Sequence, residues 1–528
     1  MKLLFLWAAC ALAASADAQV TVVQSTMAGE RWANKGQSQW GPPSGASVLL
    51  TVDRASPAQQ IFGFGGALTD TSAINYQLMN ATSRARFLDA YWGRVDTSAT
   101  SLGYTVHRVA INSPDYANIT FNLDNVTDDF DLKHFDSNLT YDRKHVLPLI
   151  HDVRAAVESN GGKAHFFASP WSPPGWMKGN GNMISSSMPC LKPDTAGGSY
   201  AQAWAAYIVK WLQAFEAVGV KFWGLTTQNE MFANQSSFES CTYTAEDMRD
   251  WLRDHLGPAL NAVYPDLVIM VYDHNKVAAP AVVATIMADP AAAAYVSGTA
   301  IHWYDYMGDT IGFGELVNAS ALGGPTRFVL ATEACIIQNL TETWSAAEMY
   351  ALDILADLNA GAVGWVEWNV LLHYSTTMYG RGVKRGGPNH TGSRFGSAML
   401  LWQDDSGYEE LVFQPTFFAI GHVSRFVRPG WRRVKATGPG FAATGADYDA
   451  VLAHAYRDKG PSSPPLVASA FQSEDGRHVA VVVLNAGDAE VDYELFDSSM
   501  GVASAADASA VRITAPAHSI QTLLYDAA

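Results

Sequence analysis

Between about Pro57 and Gln414 the chain repeats one pattern eight times: a short apolar run suited to a β-strand, then a longer stretch with helical periodicity. The runs are Gln60–Phe64, Thr105–Val109, Ala164–Ala168, Phe222–Thr226, Leu267–Val271, Thr299–His302, Phe328–Thr332 and Ala362–Val366. Several are almost wholly apolar, as strands covered on both faces must be. Strands alternating with helices predict a parallel sheet, and eight of them predict an α/β fold closed into a (β/α)8 TIM barrel.

The intervening helices carry clear stripes. Trp204, Tyr207, Ile208, Trp211, Leu212 and Phe215 recur at three- and four-residue spacing, one buried face of a long helix. Thr244, with Asp247 three residues on, reads as the cap of the next helix, whose apolar face is Met248, Trp251, Leu252 and Leu256. Gly257-Pro258 reads as its end. The aromatics of these stripes are core. That assigns three of the sixteen tryptophans, Trp204, Trp211 and Trp251, to the core.

Beyond Gln414 helical periodicity fades and alternating runs take over, at Leu466–Phe471, His478–Leu484, Val511–Thr514 and Ile520–Tyr525. This predicts an accessory all-β sandwich, to which Val20–Val23 and Val48–Val52 can add strands. The expected division is a leader over 1–18, N-terminal strands over 19–56, the barrel over 57–414 and the sandwich over 415–528.

The leader is read from Lys2, the apolar run Leu3–Ala14 and the small-x-small site Ala16-Asp17-Ala18. That run is too short to span a bilayer, and no later stretch predicts a transmembrane segment. The expected destination is therefore secretion, or the lumen of a lysosome or vacuole. Eight Asn-x-Ser/Thr sequons, three of them at Asn118, Asn125 and Asn138, agree with an exposed glycosylated surface. A formal charge of -17 argues against nucleic acid as a partner, because polyanions need basic surface. Once the leader is gone three cysteines remain, Cys190, Cys241 and Cys335. No Cys/His spacing is that of a zinc site, and no metal is implied.

In such barrels reactive side chains stand at the carboxyl ends of strands. Phe222–Thr226 runs into Gln228-Asn229-Glu230, Phe328–Thr332 into Glu333, and Ala362–Val366 into Glu367-Trp368-Asn369. Glycosidic bonds need one carboxyl to protonate the leaving oxygen and a second to attack, or to direct water at, the anomeric carbon. Two glutamates facing one barrel mouth meet that need. The plainer reading is that strand-end acids cap the next helix or pair with an arginine. Rings at three strand ends, Trp171, Trp303 with Tyr304, and Trp368, favour the first, since sugars present apolar C–H faces to aromatic floors.

The motifs Gly63-Phe64-Gly65-Gly66-Ala67-Leu68-Thr69-Asp70, Ala168-Ser169-Pro170-Trp171-Ser172-Pro173-Pro174, Thr227-Gln228-Asn229-Glu230, His302-Trp303-Tyr304, Thr332-Glu333-Ala334-Cys335 and Gly364-Trp365-Val366-Glu367-Trp368-Asn369 resemble the glucosylceramidase (acid β-glucosidase) family, glycoside hydrolase family 30. The likeness continues in order through Gln414-Pro415 and Gly421-His422 to Ser519-Ile520-Gln521-Thr522. It implies a barrel with a β-sandwich built from both chain ends, hydrolysis of β-glycosides with retention, and no metal or organic cofactor. It also implies Glu230 as acid/base and Glu333 as nucleophile, Asn229 on the sugar 2-hydroxyl, Arg108 holding the nucleophile ionised, and Tyr304 bonded to it. Asp115, Trp171, His302, Glu367 and Trp368 match positions around the family's glucose site. The chain departs from the pattern at Met231, where proline is usual, at Glu367, where aspartate is common, and at Ser393-Arg394, where a further active-site asparagine is expected.

The implied substrate is a glycosphingolipid such as glucosylceramide, or another β-glucoside. Peripheral contact with lipid surfaces is expected through a rim of Phe232, Phe238, Tyr306, Met307, Tyr374 and Tyr379. A β-1,6-glucanase would use the same glutamates, and an inactive carbohydrate-binding barrel would use neither. Cys190 and Cys241 follow neighbouring strand ends and can close a bridge across the active face, against the alternative of three reduced thiols. Cys335, beside Glu333, should stay unpaired in either case.

Overall fold

All eight apolar runs contribute to one closed parallel barrel. In the computed structural model its strands are Gly63–Ala67, Val106–Ile111, His165–Pro170, Gly224–Thr226, Val268–Asn275, Gly298–His302, Phe328–Glu333 and Ala362–Asn369. The eighth closes on the first, with Gly364 opposite Gly63. The structure describes residues 19–337, 340, 342–375, 382–384, 395–403, 409–457, 461, 463–499 and 509–527. The leader over 1–18, the sequons at Asn339 and Asn389, Tyr379, and the Ser393-Arg394 pair lie outside the described residues.

Side chains of alternate strand positions fill the barrel. Val106, Phe167, Met270, Ala300, Leu330 and Val366 form the inner core, and Phe62 stacks on Trp223 with centroids 4.3 Å apart at its amino-terminal end. The glycines of the first strand reflect close approach. A Cβ on Gly65 would lie 1.5 Å from the Val106 carbonyl oxygen, so no other residue fits there.

Outside the strands, the Tyr200–Ala217 helix buries Trp204, Tyr207, Ile208, Trp211, Leu212 and Phe215. Thr244 and Asp247 form a reciprocal capping box on Ala245–Trp251. That helix does not end at Gly257-Pro258. It widens into a π turn over Leu252–Leu256 and continues as Gly257–Val263. In the wider turn Gly257 N–H reaches the Leu252 carbonyl, five residues back, immediately before Pro258, which has no N–H to donate.

The reading of everything beyond Gln414 as β is corrected by two helices. Pro415–Ser424 is buried on nearly every side, which erases the periodicity a surface helix would show. Gly445–Arg457 carries an ordinary stripe, Tyr448, Val451, Leu452 and Ala455, that the strand-rich surroundings obscured.

Among the described residues, Ile336–Ile337 pairs with Phe395–Ser397. Gly382–Lys384, Leu372–Ser375, Leu400–Gln403 and Glu410–Phe413 form a four-stranded sheet, and a third sheet has nine strands. Its order is Ala33–Gln39, Gln19–Thr26, Ser519–Asp526, His478–Asn485, Val467–Gln472, Arg432–Thr437, Leu49–Gln60, Val491–Asp497 and Ala510–Ala515. The two edges curl together, and Gly41 and Ala510 exchange backbone hydrogen bonds of 2.9 and 2.8 Å. Strand His478–Asn485 shows how this sandwich meets the barrel. Val479, Val481 and Val483 enter the sandwich core, while Ala480, Val482 and Leu484 enter the barrel's core. Both faces of the strand are therefore buried, and the two units share an extended apolar contact.

His422, on Pro415–Ser424, ties both chain ends to the barrel. One ring nitrogen lies 2.9 Å from Ser25 Oγ and the other 2.9 Å from Thr522 Oγ1. Burial pushes this imidazole down to about 3, so it serves as a neutral hydrogen-bonding bracket. No described helix is long and apolar enough to cross a membrane.

A buried charge cluster locks the fifth strand end to the Trp344–Asn359 helix. Lys276 Nζ lies 2.5 Å from Asp353 and 2.6 Å from Asp357, and all three are essentially inaccessible. Lys276→Met would leave two carboxylates without a counterion, so it should cost about 3–5 kcal/mol. Denaturant or thermal unfolding checks this, and adding Asp353→Asn and Asp357→Asn should restore part of the loss.

Candidate active site

Arg108, on the second barrel strand, has no accessible surface and organises the carboxyl-end mouth. Its guanidinium pairs with Glu333 Oε2, lies 2.6 Å from Asp273 Oδ2, and donates to Asn229 Oδ1 at 2.9 Å and Ser169 Oγ at 3.0 Å. Trp171 and Trp368 flank it, with their centroids 4.8 and 5.5 Å from the guanidinium carbon and 5.0 Å from each other. The planar fork and flat faces suit arginine, and lysine could not make this set of contacts.

Asp273 is the second hub. Besides Arg108 it accepts from Thr226 and Thr332, each at 2.6 Å, and lies 3.0 Å from His302 Nε2. Tyr272 and Asp273 both have positive φ, at a point where the strand's register with its neighbour shifts. This bulge turns the carboxylate inward. Arg108 and His302 overcome burial and hold it well below the usual carboxylate range. The Asp273 carbonyl also receives the Glu230 N–H at 2.8 Å. Glu230 itself has φ of 48°, an uncommon conformation for a non-glycine residue and one held here by that bond.

Glu333 accepts from Arg108 and, at 2.8 Å, from the Tyr304 hydroxyl. His302 Nδ1 points between the acids, 3.7 Å from Glu230 and 3.8 Å from Glu333. Donor atoms of Glu230, His302 and Glu333 all lie within 4.8 Å of one another. Burial alone would lower the His302 imidazole, yet Glu333 and Asp273 outweigh it and push it up to about 9. Among the two acids, burial pushes both up and His302 pulls both down. With the pull of His302 on Glu230 counted as a hydrogen bond as well as a charge, the balance falls lower at Glu230 and higher at Glu333. The contacts at hydrogen-bond distance argue the other way and are the stronger ground, since His302 Nδ1 at 3.7 Å is too far to donate to Glu230. Glu333 already accepts from a guanidinium and a phenol, whereas the nearest donor to Glu230, Gln235 Nε2, is 3.5 Å away. With two cations, Arg108 and His302, facing two anions, Asp273 and Glu333, the site is neutral when the remaining proton rests on Glu230.

The structure thus gathers Arg108, Trp171, Asn229, Glu230, His302, Tyr304, Glu333 and Trp368 around one mouth. Asp115 is partly exposed beside it, its carboxyl pushed up by desolvation and then by the charges of Glu333 and Glu230. Glu367 is elsewhere. Strand alternation that turns Trp368 inward turns Glu367 outward, where it is fully buried and accepts from the Met399 N–H at 2.9 Å. It cannot touch a sugar from there, so its assignment to the sugar site is corrected. The expected apolar rim is also thinner: Phe232 and Met307 are exposed, but Tyr306 and Tyr374 are buried, Tyr306 against Trp303 at 4.7 Å.

Cys190 and Cys241 form a disulfide with sulfurs 2.04 Å apart, and Cys335 is free, buried and 3.2 Å from the Tyr304 hydroxyl. Lys178 reinforces the bridge. Its ammonium donates to the carbonyls of Met183, Ser185 and Ser240 at 2.8, 2.5 and 2.6 Å, so the loops after the third and fourth strands act as one wall. Glu230, His302 and Glu333 have the spacing to hold a cation, but Arg108 already fills that electrostatic role at Glu333.

Residues 61–427 match the glycosyl hydrolase family 30 TIM-barrel domain and residues 458–523 that family's beta sandwich domain. The chain is 33% identical to putative glucosylceramidase 3 of Caenorhabditis elegans over 79% of this chain and 77% of that one. It is 28% identical to the lysosomal acid glucosylceramidase of Mus musculus over 91% and 84%. An endo-1,6-beta-D-glucanase of Neurospora crassa is 26% identical over 62% and 64%. Among solved structures, SrfJ of Salmonella typhimurium superposes with a TM-score of 0.78 at 24% identity, covering 97% of this chain and all of that one. The endo-beta1,6-glucanase BT3312 gives 0.73 at 22%, covering 97% and 99%.

Asp273→Asn keeps the shape of the hub and removes its charge. Turnover of an aryl β-glucoside should fall on the order of 10²-fold with little change in KM, as misplacement of reacting groups predicts. Wild-type turnover would show that Asp273 does not position the site. The paired Cys190→Ser and Cys241→Ser change should lower stability by about 2–4 kcal/mol, read as an earlier thermal loss of activity.

Proposed function

The chain belongs to glycosyl hydrolase family 30, and from that premise we propose that it is a retaining β-glycosidase acting on terminal β-glucosyl units, with glucosylceramide as substrate. The spacing of the two acids carries this reading. Retaining enzymes hold their carboxyl groups about 5–5.5 Å apart, whereas inverting ones leave about 6.5–9.5 Å for a water. A gap within 4.8 Å between oxygens of Glu230 and Glu333 supports direct attack.

In this mechanism Glu333, kept anionic by Arg108 and oriented by Tyr304, attacks the anomeric carbon. Glu230 gives its proton to the departing glycosidic oxygen. A covalent glycosyl-enzyme results, and Glu230, now a base, deprotonates the water that releases glucose. Asn229 has its Oδ1 committed to Arg108, which leaves its NH2 group to donate to the sugar 2-hydroxyl. His302, cationic between the acids, steadies charge as it shifts from one to the other.

Two observations support a lipid aglycone. The glucosylceramidase names belong to relatives spanning most of this chain. In addition, Ile119, Val126, Met188, Phe232, Val277 and Met307, six of the eleven exposed large apolar residues among those described, lie on the segments that follow strand carboxyl ends. Exposed apolar groups concentrated on one face suit contact with a lipid surface. The disulfide and the leader-like segment support an oxidising destination, secretion or a lysosomal or vacuolar lumen. The second reading, a β-1,6-glucanase, is favoured by the glucanase relative and would rest on the same glutamates.

Specificity constants for glucosylceramide in acidic-lipid micelles and for β-1,6-glucan, measured on one preparation, decide between them. The lipid should be the faster substrate. Faster release of oligosaccharides from the glucan would overturn the lipid reading and leave the mechanism standing. For the mechanism, a fluorosugar should label Glu333 alone. Glu230→Gln should lose about 10²–10⁴-fold on substrates with poor leaving groups, and lose the alkaline limb of the pH profile with the proton it supplied.

A further inference from the structure

Away from the barrel mouth, one cluster of described side chains has the spacing of metal ligands: His454, Asp488 and His518. They are brought together from three places in the sequence. His454 is near the end of the Gly445–Arg457 helix, Asp488 follows strand His478–Asn485, and His518 precedes strand Ser519–Asp526.

Asp488 Oδ1 lies 3.5 Å from His454 Nε2 and 3.2 Å from His518 Nε2, and the donor set fits within 4.8 Å. The imidazole rings are nearly parallel, at 11°, with centroids 6.1 Å apart. A charge-assisted hydrogen bond prefers about 2.7–2.9 Å, so 3.5 Å is long for an ion pair. It is right for two ligands of one ion, since metal bonds of about 2.0–2.2 Å in tetrahedral array set neighbouring donors roughly 3.3–3.5 Å apart.

Two further features point the same way. His518 Nδ1 lies 2.9 Å from Oε1 of Glu348, a nearly buried residue of the Trp344–Asn359 helix. That carboxylate fixes the tautomer that turns Nε2 toward the cluster, the usual arrangement behind a ligating histidine. His518 is also held at φ of 49°, with its N–H on the Gly487 carbonyl at 3.2 Å and its own carbonyl receiving the Met27 N–H at 3.0 Å. The backbone thus fixes the imidazole beside the Asp488 turn before any ion arrives.

We propose that His454, Asp488 and His518 bind a divalent transition-metal ion of the zinc type, with solvent as fourth ligand on the open Asp488 side, and that the ion staples the sandwich to the Gly445–Arg457 helix. Two imidazoles and one carboxylate suit zinc and disfavour calcium and magnesium, which take oxygen ligands. The role is structural, because all three ligands lie outside the catalytic barrel's mouth.

The test uses the full chain, stripped with chelator, equilibrated with Zn2+ and dialysed. Elemental analysis should find one zinc per chain in the wild type and in Glu230→Gln/Glu333→Gln, but essentially none in His454→Ala/Asp488→Ala. Zinc should raise the wild-type thermal midpoint by a few degrees, leave the His454→Ala/Asp488→Ala midpoint unmoved, and have no counterpart with Ca2+ or Mg2+. If that double variant does not fold, Asp488→Asn, at an exposed position, gives the same readout. No retained zinc in the wild type overturns the proposal. So does zinc that survives the His454 and Asp488 changes but is lost with the two glutamates, since it would then sit at the catalytic acids.

Discussion

Arg108 is a full charge placed where no water reaches, and the active site is organised around that cost. A buried guanidinium is tolerable only when anions and acceptors surround it. Asp273, Glu333, Asn229 and Ser169 do so from four other barrel strands or the loops that follow them, and two indoles close its faces. Solvating this one cation therefore fixes the relative positions of strands far apart in sequence. The same arrangement favours the carboxylate form of Glu333 against the burial that opposes it. Asp273 carries it one residue further, because its backbone holds Glu230 as its side chain holds Arg108.

Much of this was legible in the chain because strand ends carry a compact signal. An apolar run closely followed by Asn229-Glu230, or directly by Glu333, reads as a barrel strand with an acid at its carboxyl end, and the neighbouring rings and family motifs pointed from there to the chemistry. Asp273 offered the same signal, two residues past Leu267–Val271, and was passed over because the apolar run stops at the bulge that turns the acid inward. Glu367 shows the converse. The signal was present, but whether a strand-end acid faces the mouth or the outer helices depends on strand parity, and parity cannot be fixed when the strand's start is uncertain by one residue. The Pro415–Ser424 helix was hidden for another reason. A helix covered by barrel, sandwich and the N-terminal strands has no polar face to set a period. Likewise His454, Asp488 and His518 are 34 and 30 residues apart, so no local spacing could have joined them.

The barrel and sandwich are coupled by chemistry as well as by apolar contact. Motif residues that lie far from the acids acquire a meaning here. A Cβ on Gly421 would meet the Trp32 ring at 2.0 Å, and His422 bridges the first and last strands of the sandwich. Residues shared with a hydrolase family outside its catalytic mouth thus serve the joint between its two units.

The sandwich places the last strand among the described residues, Ser519–Asp526, in the middle of the sheet, between Gln19–Thr26 and His478–Asn485. Synthesis runs from the other end. Until that strand has been made, the first strand waits with an unpaired edge, and the groove for Thr522 beside His422 stays open. A barrel already formed at that stage would still lack part of its cover, since Ile520 belongs to its core. The nascent chain therefore passes through a period in which the barrel strands are made and a sheet edge is unsatisfied, the kind of surface that recruits neighbouring chains or chaperones. This sheet closes only when Ser519–Asp526 inserts between two strands made before it, and until then their facing edges are open to wrong partners.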